Sequence, residues 1–356
     1  MEGKSACSAA RAKPRWKKSS RTKVRMLRGD EPMPEEKYLK RWRKTAVKQN
    51  DMNSEIMNKL VKDCEDVLDR CLPDPDHMPE GEQPTATIAS AMRYNVLAGG
   101  KRLRPLLIAR ISDIYGGRRE LAEPFMAALE MIHTYSLVHD DLPAMDNDDY
   151  RRGRKTTHIV YGEGMAVLTG DSLLNYAYET AAAAFDAAKT PQETAAVVRA
   201  FKILSKNAGI FGMVGGQCAD LEAENREVPI TDGQLEYIHS HKTACMIDSG
   251  FTIGAVLAGA PEEDIQRLHK IAYNIGVAFQ IQDDILDVIG DSKELGKQVG
   301  SDEKDGKTTY VTLHGLEQAS KDVRSLTDSA LVEFDALSVQ DDFLRSLIVQ
   351  LVSRRK

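Results

Sequence analysis

The chain has 356 residues, 42% hydrophobic and 29% charged, enough to bury a sizeable core in one large domain or a few smaller ones. Its net charge of -6 is unevenly spread: residues 1–50 carry 16 Lys and Arg against 5 Asp and Glu, or +11, which leaves 32 against 49, or -17, for the rest. An acidic body argues against a nucleic-acid-binding core, and the longest apolar run, 251–260, is too short for a transmembrane segment. Five cysteines without C-x-x-C or metal-ligand spacing point to reduced thiols in a cytoplasmic compartment.

Residues 1–51 stand apart. Lys, Arg and Ser dominate, apolar periodicity is absent, and Glu2 is the only acid before Asp30, so a disordered basic extension is expected. Three origins fit it: a start assigned upstream of Met52, a transit peptide that would make the protein organellar, or a basic tail for polyanions.

From Met52 the pattern is helical. Ile56, Leu60, Val61, Cys64, Val67, Leu68 and Cys71 recur at three- and four-residue intervals. The four prolines of 72–84 close that helix in a loop. A second helix starts near Thr85 and stops at Gly99-Gly100, since glycine accepts the left-handed cap. Further helices are predicted over 102–115, 121–141, 163–188, 192–206, 208–225, 232–259, 262–290, 309–337 and 341–352. Several are apolar around most of their circumference and belong inside a bundle. No strand or hairpin signal stands out. The expected fold is all-α: a single large helical bundle over 52–356, with its ligand site in a central cavity between helices.

Between His133 and His158 the chain reads HTYSLVHDDLPAMDNDDYRRGRKTTH, which puts Asp140, Asp141, Asp146, Asp148 and Asp149 within ten residues. Such a run is most often a solvated face, but here it falls at a helix C-terminus, where the macrodipole disfavours negative charge. Asp140 and Asp146 would point apart on a regular helix; Pro143 breaks it and lets Asp146 fold back. A second cluster, Asp283, Asp284 and Asp287, sits on one helix among Val277, Phe279, Ile281, Ile285, Leu286 and Val288. Carboxylates in that setting need a cation or a donor network. All-oxygen ligands suit Mg²⁺, which keeps several waters and takes one or two carboxylates together with phosphate oxygens.

Phosphate in turn needs cations. Gly99-Gly100-Lys101-Arg102-Leu103-Arg104-Pro105 sets Lys101 and Arg104 at a helix start, where backbone donors add to anion binding. Arg151 and Arg152 follow the first acidic cluster, and Lys242-Thr243, Lys297 and Lys307 could add further donors.

This combination resembles the trans-isoprenyl diphosphate synthases, the chain-elongating prenyltransferases, over essentially residues 55–356. DDLPAMD and DDILD correspond to that family's two aspartate-rich motifs. GGKRLRP, the RRG that follows the first motif, GDSLL at 170–174, GGQ at 215–217 and KT at 242–243 correspond as well. The resemblance implies an all-α homodimer that binds isoprenoid diphosphates and three Mg²⁺ ions. By it, Asp140, Asp146 and Asp283 are metal ligands, with Asp141, Asp284 and Asp287 ligating or supporting them. Arg151, Lys242 and Lys307 hold the allylic diphosphate; Lys101, Arg104, His133 and Arg152 hold isopentenyl diphosphate; Gln280 lies against the reacting end. His139 and His158 are given no role, and Arg354-Arg355-Lys356 is either a closing basic tail or a frayed terminus.

Tyr135 and Ser136 lie about one turn before Asp140, some 6–8 Å down the helix. In the resemblance, an aromatic there beside a small residue goes with bacterial-type farnesyl diphosphate synthases, and smaller residues with C20 products. A C15 product is expected, with geranylgeranyl diphosphate synthase as the alternative and a non-catalytic partner subunit as a more remote one. A terpene cyclase would not need the second set of diphosphate cations. A metal-dependent phosphohydrolase would not incorporate isopentenyl diphosphate.

Overall fold

The computed structural model describes residues 35–224, 230–289 and 308–352, with side chains from Asn53 onward. By internal contacts Met1–Gln49 and Asn50–Lys356 form two units, and the site described below belongs to the second. The helices are α1 (Glu35–Cys71), α2 (Ala86–Val96), α3 (Leu103–Ile114), α4 (Arg119–Asp140), α5 (Thr157–Tyr161), α6 (Glu163–Ala187), α7 (Pro191–Ala208), α8 (Met213–Glu224), α9 (Asp232–Ile238), α10 (Cys245–Leu257), α11 (Glu262–Ile289), α12 (Tyr310–His314), α13 (Leu316–Asp335) and α14 (Asp342–Val352). The fold is all-α. Among the described residues no helix is long and apolar enough to cross a membrane.

The core is built around α4 and α10. Apolar side chains circle both: α4 is buried from Leu121 to Val138 with few interruptions, and α10 continuously from Met246 to Leu257. α4 packs against α3 and α6, and α10 against α3, α7 and α11. Phe125 and Phe251 are fully buried at the centre, and burial stabilises each such side chain by about 1.5–3 kcal/mol. The ends of α3, α4, α6, α7, α11 and α14 fall within two residues of the sequence prediction.

Four differences have identifiable causes. α1 begins at Glu35 rather than Met52, so part of the segment expected to be disordered is helical. After Pro34 that stretch is rich in Glu, Lys and Arg with no glycine or proline, and propensity favours a helix there. α8 starts at Met213, after a turn through Gly209–Gly212, rather than at 208. The predicted helix over 309–337 is divided at Gly315, whose φ is 79°.

The fourth difference is a hairpin. β1 (Tyr150–Arg151) pairs antiparallel with β2 (Arg154–Lys155), Tyr150 opposite Lys155 and Arg151 opposite Arg154. Its loop is Arg152-Gly153, with φ of 53° and 75°. Positive φ at both positions is the geometry of a two-residue type I′ turn, which Asn-Gly or Asp-Gly usually signals. Arginine in that place hides it.

Candidate active site

Asp140 is the last residue of α4, and beyond it the chain doubles back. The Asp146 N–H donates to the Asp140 carbonyl at 2.8 Å and the Asn147 N–H to the Leu142 carbonyl at 3.1 Å. The turn brings Asp146 back beside Asp140, close enough to act on its charge, and Asp140 lines a cavity of about 870 Å³. Its wall includes Arg104, His133, Tyr135, Ser136, His139, Asp140, Gln217, Lys242 and Thr243, with Met145, Met213, Val214 and Leu221 supplying apolar surface.

The polar end of the cavity is electrostatically loaded. Burial pushes the Asp140 carboxyl up to about 6; Lys242 pulls it down and Asp146 pushes it back. Gln217 Nε2 donates to Asp140 Oδ1 at 3.1 Å. Lys242 Nζ is held by Asp220 Oδ2 at 2.6 Å, and Thr243 Oγ1 donates to Gln280 Oε1 at 2.9 Å. That last bond ties the cavity wall to α11 one turn before Asp283 and Asp284. The Nε of Arg104 is buried without a hydrogen-bond partner, a cost of about 1–3 kcal/mol unless an acceptor arrives. Burial, then Arg104, Arg152, Arg151 and Arg102, hold His133 well below its usual pKa, so it is a neutral donor–acceptor at pH 7.

Local backbone structure aims these groups. His239–Ala244 form a π-helical segment joining α9 to α10. The wider turn carries Lys242 and Thr243, both on the cavity wall; π-turns inside α-helices frequently mark functional sites. Gly216 of α8 lets the two elements touch: a Cβ there would stand 2.1 Å from the Lys242 backbone N.

The structure divides the remaining sequence candidates. Asp141, about 100° round the helix from Asp140, is buried against Arg151, whose Nε donates to Asp141 Oδ1 at 2.6 Å. Arg151 also lies 3.7 Å from Asp148. Asp141, Arg151 and Arg152 line a smaller cavity of about 40 Å³. Arg152 Nη1 donates to the Gly99 carbonyl, which joins the hairpin to the GGKRLRP segment. Lys101 is exposed and lines neither cavity. Asp284 and Asp287 are buried and Asp283 half-buried; Asp284 Oδ2 accepts the Tyr310 N–H at 2.8 Å and so anchors α12. Lys297, Lys307 and Arg354–Lys356 lie outside the described residues.

Several functional-looking residues were given no role by the sequence reading, although Gln217 lay within its GGQ motif and Arg102 within GGKRLRP. Gln217 and Asp220 share a face of α8 and partner Asp140 and Lys242, a pairing that three-residue spacing alone cannot announce. Arg102, the unassigned arginine of GGKRLRP, is buried, donates to Glu130 and to the Val96 carbonyl, and takes a left-handed φ of 47°. His139 lines the cavity beside Tyr135.

The donor set fits a hard cation that completes its shell with water and substrate oxygens. Asp140 and Asp146 offer oxygen ligands, and desolvation already disfavours an unneutralised charge on Asp140. Among the described residues no three His, Cys, Asp or Glu side chains converge closely enough to bind a metal unaided.

A profile of the Polyprenyl synthetase family matches residues 85–341. The chain is 45% identical over 247 residues to the geranylgeranyl diphosphate synthase of Cyanophora paradoxa, covering 69% of this chain and 80% of that one. It is 43% identical over 268 residues to the farnesyl diphosphate synthase of Bacillus subtilis (strain 168), covering 75% and 89%. A crystal structure of geranyltransferase from Helicobacter pylori, complexed with magnesium and isoprenyl diphosphate, superposes with a TM-score of 0.69 at 33% identity, over 84% of this chain and 96% of that one. A match of that extent, to sequences and to a structure alike, places the chain in the polyprenyl synthetase family, among the prenyltransferases that make isoprenoid diphosphates.

Proposed function

We propose that the chain condenses isopentenyl diphosphate head-to-tail with dimethylallyl diphosphate and then geranyl diphosphate, and stops at farnesyl diphosphate. The observation that carries the C15 reading is Tyr135. It is buried in the cavity wall, five residues and about 7.5 Å down α4 from Asp140, where it blocks a tail growing away from the diphosphate. Ser136 beside it is too small to do so.

Asp140, Asp146 and Asp283 are the proposed Mg²⁺ ligands, with Asp141, Asp284 and Asp287 in supporting contacts. Mg²⁺, bound with the allylic diphosphate, supplies Lewis-acid and template chemistry for the departing pyrophosphate. Lys242, freed from Asp220 or shared with it, and Thr243 meet that diphosphate, and Gln280 is steadied by Thr243. Arg151 supports this side through Asp141. Arg104, His133 and Arg152 form the isopentenyl diphosphate side, where the Arg104 Nε finds its acceptor and neutral His133 donates one hydrogen bond. The allylic C–O bond breaks, the isopentenyl double bond forms the new C–C bond, and the departing pyrophosphate takes the proton that is lost. Met145, Met213, Val214 and Leu221 keep water from the cation.

A homodimer is also proposed. Ile159, Val160, Val167 and Leu168 on α5 and α6, with Ile210 and Phe211 before α8, are large apolar side chains left exposed, Phe211 by 70%. The second reading is a C20 product, favoured by the 45% identity to a geranylgeranyl diphosphate synthase. Chromatography of the product made from dimethylallyl diphosphate and excess isopentenyl diphosphate decides between them. C15 should dominate, and C20 as the main product would overturn the Tyr135 argument.

A further inference from the structure

His139 sits one turn after Tyr135 on α4 and lines the same cavity. The two rings meet edge to face, 5.8 Å apart at 82°, an arrangement that adds about 0.5–1.5 kcal/mol beyond burial alone. On its far side His139 is gripped by α6. Its Nε2 lies 3.1 Å from the Val167 carbonyl and 3.9 Å from Asp171 Oδ1. Its ring also rests where Gly170 has no side chain: a Cβ there would stand 2.0 Å from Nε2 and 2.3 Å from Cδ2. α6 therefore holds the imidazole by a hydrogen bond and a fitted surface, and the imidazole holds the tyrosine ring.

We infer that His139 is a positioning residue for product length, acting through Tyr135, and that Gly170 is kept free of a side chain to seat it. The inference rests on the reading of Tyr135 as the cavity floor. A lone tyrosine could swing about χ1 under the pressure of a growing tail; one braced edge-on by a ring that is itself pinned to a neighbouring helix cannot do so without moving both. Removing the brace leaves the floor in place but lets it yield, so chain growth should overrun C15 without a new cavity being cut.

The test is the C20:C15 product ratio of the purified full-length protein with geranyl diphosphate and labelled isopentenyl diphosphate. His139→Ala should raise the ratio about tenfold, a shift of about 1.4 kcal/mol between competing steps. His139→Phe keeps a ring against Gly170 and Tyr135 and should restore the wild-type ratio. Tyr135→Ala should raise the ratio further, and adding His139→Ala to it should change nothing more. If Tyr135→Ala lengthens the product and His139→Ala does not, the bracing role is wrong while the floor stands. If the two effects multiply, the residues act independently and the inference fails. If Tyr135→Ala leaves the ratio unchanged, the floor itself is wrong and the brace falls with it, even if His139→Ala lengthens the product. Because His139 adjoins Asp140, loss of turnover in His139→Ala would move the comparison to Gly170→Ala. That variant displaces the ring with Tyr135 and His139 both intact, and an unchanged ratio there would overturn the inference.

Discussion

Asp140→Ala is expected to lower turnover by about 10³-fold, the size of losing one preorganised electrostatic group at the reacting centre, while the protein stays folded. The helix tolerates the change: alanine is the best helix former, and the turn that returns Asp146 uses the Asp140 carbonyl, which remains. What disappears is an oxygen ligand at the cavity end, together with the acceptor of the Gln217 amide. The thermal midpoint of the metal-free protein should not fall, since the carboxylate that burial pushes up to about 6 is a burden to the empty fold at pH 7. Steady-state kinetics with excess Mg²⁺ and a circular-dichroism melt check both halves. Near wild-type turnover would remove Asp140 from the ligand set.

Gly216→Ala should be nearly as damaging without touching a reactive group. The added methyl would stand 2.1 Å from the Lys242 N and 2.7 Å from the His241 carbonyl carbon and the Lys242 Cα, all backbone atoms that cannot rotate away. The π-helical segment must retreat, taking Lys242 and Thr243 with it. A displacement of about 1 Å in a catalytic constellation costs about 10²-fold, and overpacking of this kind destabilises by about 1–3 kcal/mol. Gly233→Ala is the control, because nothing lies within 4 Å of a Cβ there, and it should keep wild-type kinetics. A Gly216→Ala protein with wild-type kcat would show that the close approach of α8 does not set the Lys242 position.

The helices were largely legible because their cause is local. Apolar residues at helical spacing marked α4, α6 and α11, and Pro143 marked the end of α4 at Asp140. What the pattern could not show depends on partners distant in sequence. Nothing in HSHKTA distinguishes a π-turn from an α-turn, or shows that the segment lies against Gly216 of α8. Arg152 gives no turn signal, yet its guanidinium reaches the Gly99 carbonyl and the hairpin is fixed there. Asp140 and Asp141 read as one motif, but a 100° step sends the first to the cavity and the second to Arg151. Asp284 reads as part of a ligand cluster, and the sequence could not show that it also accepts the Tyr310 N–H at the start of α12. His139 looked like filler beside the aspartates, and only the missing side chain at Gly170 reveals what seats it.

The central claim is that the Asp140 cavity joins two isoprenoid diphosphates rather than merely cleaving one. The ratio of labelled isopentenyl diphosphate incorporated to pyrophosphate released, measured on the intact protein with geranyl diphosphate and Mg²⁺, tests it most directly. One molecule incorporated for each pyrophosphate released, with the label in a C15 product, is the expected result. Pyrophosphate or phosphate released without incorporation would make the site a hydrolase and contradict it.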